Sequence, residues 1–185
     1  MTAPELQWTT AVHEAGHAVA ARAMGYAVRR ITIVPDDDSG GHCISTPFAN
    51  SFDPDLANYD GRVRRRLEAQ IIILCAGGVA QARVDPDDAA VLWGSEPDYT
   101  NAHELATWAS GGDGDEAAAY VGWLKCRAER IIWSPVWWEG IEYLAKQLLV
   151  TPTMSGRKVR TVIQEGLTSH MVVRGVFRLT EPPAT

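Results

Sequence analysis

The 185-residue chain has only three cysteines, Cys43, Cys75 and Cys126, and no Cys-x-x-Cys pair among them. An odd number without paired spacing argues against a disulfide framework. The expectation is a reducing, cytoplasmic setting, with the thiols acting as small buried apolar groups. Basic residues are also short: 17 Lys and Arg stand against 23 Asp and Glu, for a formal net charge of −6. A domain that grips phosphodiester backbones carries the opposite excess, so nucleic acid is not an expected partner. Long hydrophobic runs are missing too. The longest, Ile71 to Ala80, covers about ten residues where a bilayer requires about twenty. It reads as a buried segment, and no membrane segment is expected. Met1 to Glu5 show no basic stretch leading into an apolar run, so no secretory signal is expected either.

What is present is a globular composition, 46% hydrophobic and 22% charged, which excludes a disordered chain. Without repeats or a low-complexity linker, the chain reads as one domain over residues 1–167 with a C-terminal tail at 168–185. Pro4 and Glu5 suit a helix start, and an alanine-rich stretch carries that helix to Met24, where Gly25 ends it. Val28 to Val34 reads as a strand closed by Pro35, Asp36 to Gly41 as a turn, and His42 to Thr46 as a returning strand. Residues 47–58 read as irregular. A helix is expected over Tyr59 to Arg83, with Gly77-Gly78 marking either a close packing contact or a break. Further helices are expected at Pro97 to Ser110, 115–133, 135–150 and 155–167, before a frayed Glu181-Pro182-Pro183 end. The fold class is therefore α+β and mainly helical: one motif-bearing helix plus a small β-hairpin or sheet, packed on a helical bundle.

That motif is His13-Glu14-Ala15-Gly16-His17. Positions four apart lie one turn apart on one helix face, so His13 and His17 can meet one tetrahedral Zn²⁺ at about 2.0–2.1 Å each. Glu14, adjacent to the first ligand, can reach a metal-activated water without binding the metal. Two surface histidines at this spacing by chance is the competing reading; the helical context and the small neighbours Ala15, Gly16 and Ala18 speak against it. A catalytic zinc takes a third protein ligand, here a His, Glu or Asp from elsewhere in the chain.

These residues resemble the FtsH-type zinc peptidases, whose proteolytic domain carries HEAGH in its first helix. Ile31-Thr32-Ile33-Val34-Pro35 is similar to the strand that follows in that family, and Ala76-Gly77-Gly78-Val79-Ala80 to its LGGRAAEE segment. Gly94 to Ala102 aligns without gaps on its G-A-S-N-D-L-x-x-A segment. The resemblance implies that Asp98 is the third zinc ligand, with Glu96 and Glu104 as alternatives or supporting acids. The family's acidic pair after its double glycine is replaced by Gln81-Ala82-Arg83, and no GxxxxGK[ST] phosphate loop is present.

The implied function is a zinc-dependent, ATP-independent peptidase acting on peptide or unfolded protein through a metal-activated water, with Glu14 as general base. The alternative is a metal-binding, peptidase-fold interaction or regulatory module with little or no turnover. A homo-oligomer is a possible state. His42, His103 and His170 read as solvated or packed, with lining the cleft and contacting a substrate oxyanion as the alternative for His103. Asp36-Asp37-Asp38 lacks the spacing of a calcium loop. Arg62, Arg64, Arg65 and Arg66 read as a solvated helix face, and Trp123, Trp133, Trp137 and Trp138 as core or a subunit interface.

Overall fold

A computed structural model describes residues 3–35, 40–45, 61–87 and 97–173. The order of elements is α1 (Ala3–Ala23), β1 (Val28–Thr32), β2 (His42–Ser45), α2 (Gly61–Val84), α3 (Pro97–Ala109), α4 (Gly114–Ile132), α5 (Pro135–Val150), β3 (Thr153–Ser155) and α6 (Gly156–Val173). This is the expected α+β, mainly helical class, with a three-stranded antiparallel sheet in the order β2-β1-β3.

α1 is the central rod of the fold. Every residue from Ala11 to Ala21 is buried, so this stretch has no solvent-exposed face and the helix shows little amphipathic bias. Small side chains make this possible, because alanine and glycine let neighbouring helices approach on all sides. α1 packs most extensively on α2 and α5. It ends as the sequence implies: Gly25 adopts φ +83°, Gly25 N–H donates to Arg22 O at 3.2 Å and Tyr26 N–H to Ala21 O at 2.8 Å. Those two bonds make a Schellman cap, which satisfies carbonyls the helix leaves open.

α2 runs unbroken through Gly77-Gly78, so the double glycine marks a close contact and not a break. The approach is tight at Gly16 as well, where an added Cβ would stand 2.7 Å from Ala80 Cβ and 2.8 Å from Ala76 O. Neither neighbour can swing aside. A Gly16→Ala variant should therefore lose about 1–3 kcal/mol through overpacking, seen by calorimetry as a fall in Tm of about 2–10 °C for a chain of this size. An unchanged Tm would show that α1 and α2 can separate freely.

The expected hairpin forms between β1 and β2, with Ile31 opposite Cys43 and Thr32 opposite His42. β1 stops at Thr32 and not at Val34, although Ile33 N–H still reaches Pro152 O at 2.9 Å. The third strand was not expected. β3 has three residues and no alternating pattern of its own; it exists because β1 pairs with it, Ile31 opposite Met154 over the core and Thr32 bonded to Thr153 through their hydroxyls at 2.7 Å. α6 continues to Val173, beyond the end expected at 167.

α4 starts on Asp113, whose carboxylate accepts from Glu116 N–H at 2.8 Å, and α5 starts with Pro135 behind Ser134. Several surface expectations need revision. Trp138 is buried and Trp137 packs on the core, but Trp123 and Trp133 are exposed. Arg83 lies over the rings of both Trp133 and Trp138, at 5.1 and 4.0 Å, and donates to Ile132 O. Cys75 is buried as expected, while Cys126 is exposed. Arg64 and Arg65 lie on a solvated face, Arg64 paired with Glu68 at 3.2 Å. By length and composition α2 could cross a membrane, but 61% of its most apolar window is buried inside the fold, as in a core helix. Thr46, the residues 47–58, Asp36 to Ser39, Glu96 and residues 174–185 of the expected tail lie outside the described residues.

Candidate metal centre

α1 and α2 cross at the histidines. His13 and His17 stand one turn apart on α1, and the stripe of α2 facing them is Ile73, Gly77 and Gln81, also spaced by four. The two helices run antiparallel, so His17 meets Ile73 and His13 meets Gln81. His17 Nδ1 lies 2.7 Å from the Ile73 carbonyl and His13 Nδ1 lies 2.8 Å from Gln81 Oε1. Both acceptors are carbonyl oxygens, so each ring donates through Nδ1–H, and Nε2 is left with its lone pair directed inward.

α3 supplies the third group. Asp98 is in its first turn, and its Oδ2 lies 3.2 Å from His13 Nε2 and 2.8 Å from His17 Nε2. The two Nε2 atoms are 3.0 Å apart. Three acceptor atoms thus form a small triangle in a largely buried place, the one such group of metal-ligating side chains among the described residues. Lone pairs do not gather at this distance without a positive charge between them. A tetrahedral ion bonded at about 2.0–2.1 Å sets ligand-to-ligand distances of about 3.3–3.4 Å, so small outward shifts would seat one.

The space for an ion comes from Gly77. An added Cβ there would fall within contact of His17 Nε2 and 2.7 Å from His13 Nε2. Any other residue would fill the cradle with carbon.

Glu14 is buried beside this triangle, and its Oε2 has no hydrogen-bond partner among the described residues. Burial pushes its carboxyl above the usual carboxylate range, against the pull of His17 and His13. Gly41, just before β2, packs against Glu14, where a Cβ would stand 3.1 Å from both Cγ and Oε1. Asp98 shows the reverse balance: burial pushes its carboxyl up, but His17 and His13 together hold it well below the usual range. For His17, burial pulls down, but the charge and hydrogen bond of Asp98, with smaller help from Glu14 and the Ile73 carbonyl, push it up to about 9.

Without a metal, a proton on His17 therefore takes the place of the cation. Because the folded pKa of His17 is raised, the His17–Asp98 pair stabilises the metal-free fold up to about pH 6.5 and is lost as pH rises through about 9; in acid it is lost again as Asp98 protonates. Metal must displace that proton. Zinc titrated into metal-free protein at pH 7 should release about one proton per ion, read calorimetrically in buffers of different ionisation enthalpy, and the release should fade above about pH 9. Equal heats in all buffers at pH 7 would show His17 already neutral.

The four sequence-derived residues His13, Glu14, His17 and Asp98 are thus brought together. Glu104 is exposed and lines a groove along α3 with Tyr99, His103 and Trp108, outside the triangle. His103 packs edge-on against Tyr99, ring centroids 4.6 Å apart. His42 is exposed, and its charge reaches Glu14 only weakly. Two participants were missed from the sequence, Gln81 and the Ile73 carbonyl. The spacing of four around Gly77, with a polar residue on an otherwise apolar stretch, was the available signal.

No curated protein matches the chain. One family model, described as Peptidase M50B-like, matches residues 4–53. M50 is a zinc peptidase family distinct from the FtsH type, so the match supports a metallopeptidase relation without the narrower one. The chain is similar to Peptidase M50B-like proteins over the segment that carries His13, Glu14 and His17.

Proposed function

We propose that this protein is a zinc-dependent, ATP-independent peptidase in which His13, His17 and Asp98 hold the ion and Glu14 is the general base. The observation that carries the reading is the three-acceptor triangle lying beside a buried carboxylate, one oxygen of which is unpartnered among the described residues. Two imidazoles and a carboxylate around a cradle opened by Gly77 suit Zn²⁺. When bound, the ion supplies Lewis acidity and brings the pKa of a water ligand from about 15.7 toward 7.

The chain's own residues do the rest. Gln81 and the Ile73 carbonyl fix the ring orientations of His13 and His17. Glu14, raised by burial, takes a proton from the attacking water and delivers it to the leaving amine. β2 is an edge of the sheet among the described residues, and it begins next to Gly41, against Glu14. An extended peptide pairing with that edge would bring its carbonyl to the carboxylate, with affinity from main-chain bonds and little sequence preference. The proposed substrate is therefore peptide or unfolded protein, in a cytoplasmic setting, with a homo-oligomer as a possible state. The FtsH-type placement belongs to this proposal, supported by an aspartate in the first turn of α3 completing the set.

Purified protein should carry about one zinc and hydrolyse casein; chelation should stop hydrolysis and added zinc restore it. Metal retention without cleavage of casein or a peptide library would favour the binding-module alternative. Asp98→Ala leaves two imidazoles, so the ion should be lost on dialysis while the fold remains. Unchanged metal content in that variant would remove Asp98 from the set.

A further inference from the structure

Away from the metal centre, a cavity of about 250 Å³ opens between the end of α1, the turn into β1 and the first turns of α6. Its lining includes Arg22, Arg157, Arg160 and Tyr26 and, among the described residues, no acid. Among the described residues no carboxylate pairs with these three arginines. Three other arginines are engaged: Arg64 and Arg127 share Glu68, and Arg83 lies between two tryptophans.

In a chain of net charge −6, three arginines without a carboxylate partner among the described residues line one concavity. Ala18 and Ile163, both fully or almost fully buried, make part of the wall apolar, which strengthens any charge interaction there. The first turn of α6 and the last turn of α1 both line the space, so the opposite dipole ends of the two helices offset and the positive charge there is that of the arginines. Guanidinium forks match oxyanions that present several acceptors and more than one negative charge.

We propose that this cavity binds a phosphate monoester, held by Arg22, Arg157 and Arg160. The volume admits the phosphate and a short attached body but not a drug-sized ligand. A soluble ester and a phospholipid headgroup share this chemistry.

The test titrates inorganic phosphate and glycerol phosphate into the intact protein at constant ionic strength, with chloride as the control. Saturable binding with Kd below about 1 mM is expected, together with a rise in Tm. R157A/R160A should weaken binding at least tenfold; both side chains are exposed, so the fold should survive, as circular dichroism will verify. Arg22→Gln gives a second, independent reading. In a parallel arm, capture on vesicles containing monoester-bearing lipid, competed by glycerol phosphate and lost in R157A/R160A, assigns the headgroup. Binding of the soluble ester without vesicle capture assigns a soluble ligand. The proposal is overturned by absent binding, by an equal effect of chloride, or by binding that survives all three arginine changes. Binding abolished by EDTA instead would put the anion on the metal and equally overturn it. None of these readouts depends on peptidase activity.

Discussion

Replacing Glu14 by glutamine should leave zinc content at one ion per chain and cut peptide turnover by about 10²–10⁴-fold. The side chain keeps its shape, and none of the three triangle atoms belongs to it, so nothing that grips the ion is removed. What disappears is the capacity to accept a proton. Glu14 Oε2 has no hydrogen-bond partner among the described residues, so an amide nitrogen there breaks no bond seen in them. A buried carboxylate is also costly, and the variant should be at least as stable as the parent. Elemental analysis, steady-state kinetics and thermal unfolding on one preparation separate these effects. Activity within tenfold of the parent, with zinc retained, would remove Glu14 from the mechanism.

Gly77→Ala should do the converse: keep every polar group of the site and abolish metal binding. The new methyl would occupy the space between the two Nε2 atoms. The clashing atoms are the tips of the His13 and His17 rings, which can rotate away, so the helix crossing itself need not open. Alanine in a helix interior is better than glycine by about 0.8–1.0 kcal/mol, which offsets the loss of the ring contacts. The expected protein is folded, with a Tm near that of the metal-free parent and no zinc after dialysis. Stoichiometric zinc in this variant would show that the ion sits elsewhere. Taken with Glu14→Gln, the pair divides capture of the ion from use of it.

These two sites also show where sequence is informative. The pairing of His13 with His17 is local, because helix geometry alone puts them on one face, and Glu14 follows from the same geometry. Gly77 was visible as an anomaly in an apolar helix, but whether it marked a contact or a break depended on what packed against it. Asp98 had no local signal beyond that of a helix-capping acid and entered through resemblance. Gln81 and the Ile73 carbonyl required the antiparallel crossing of α1 and α2, which no window of sequence contains. β3 was missed for a related reason: a three-residue strand has too little pattern of its own, and its partner strand lies 121 positions away at the Thr32–Thr153 bond.

The burial of α1 on every side from Ala11 to Ala21 has a consequence for how the site works. Apart from the two histidines and Glu14, this stretch is alanine, valine and glycine, side chains with at most one rotatable bond. The loss of freedom that would otherwise accompany each encounter with substrate is therefore completed during folding. Under the proposed function α1 would be a stationary anvil, and adjustment to a peptide would fall to the edge of the sheet at β2.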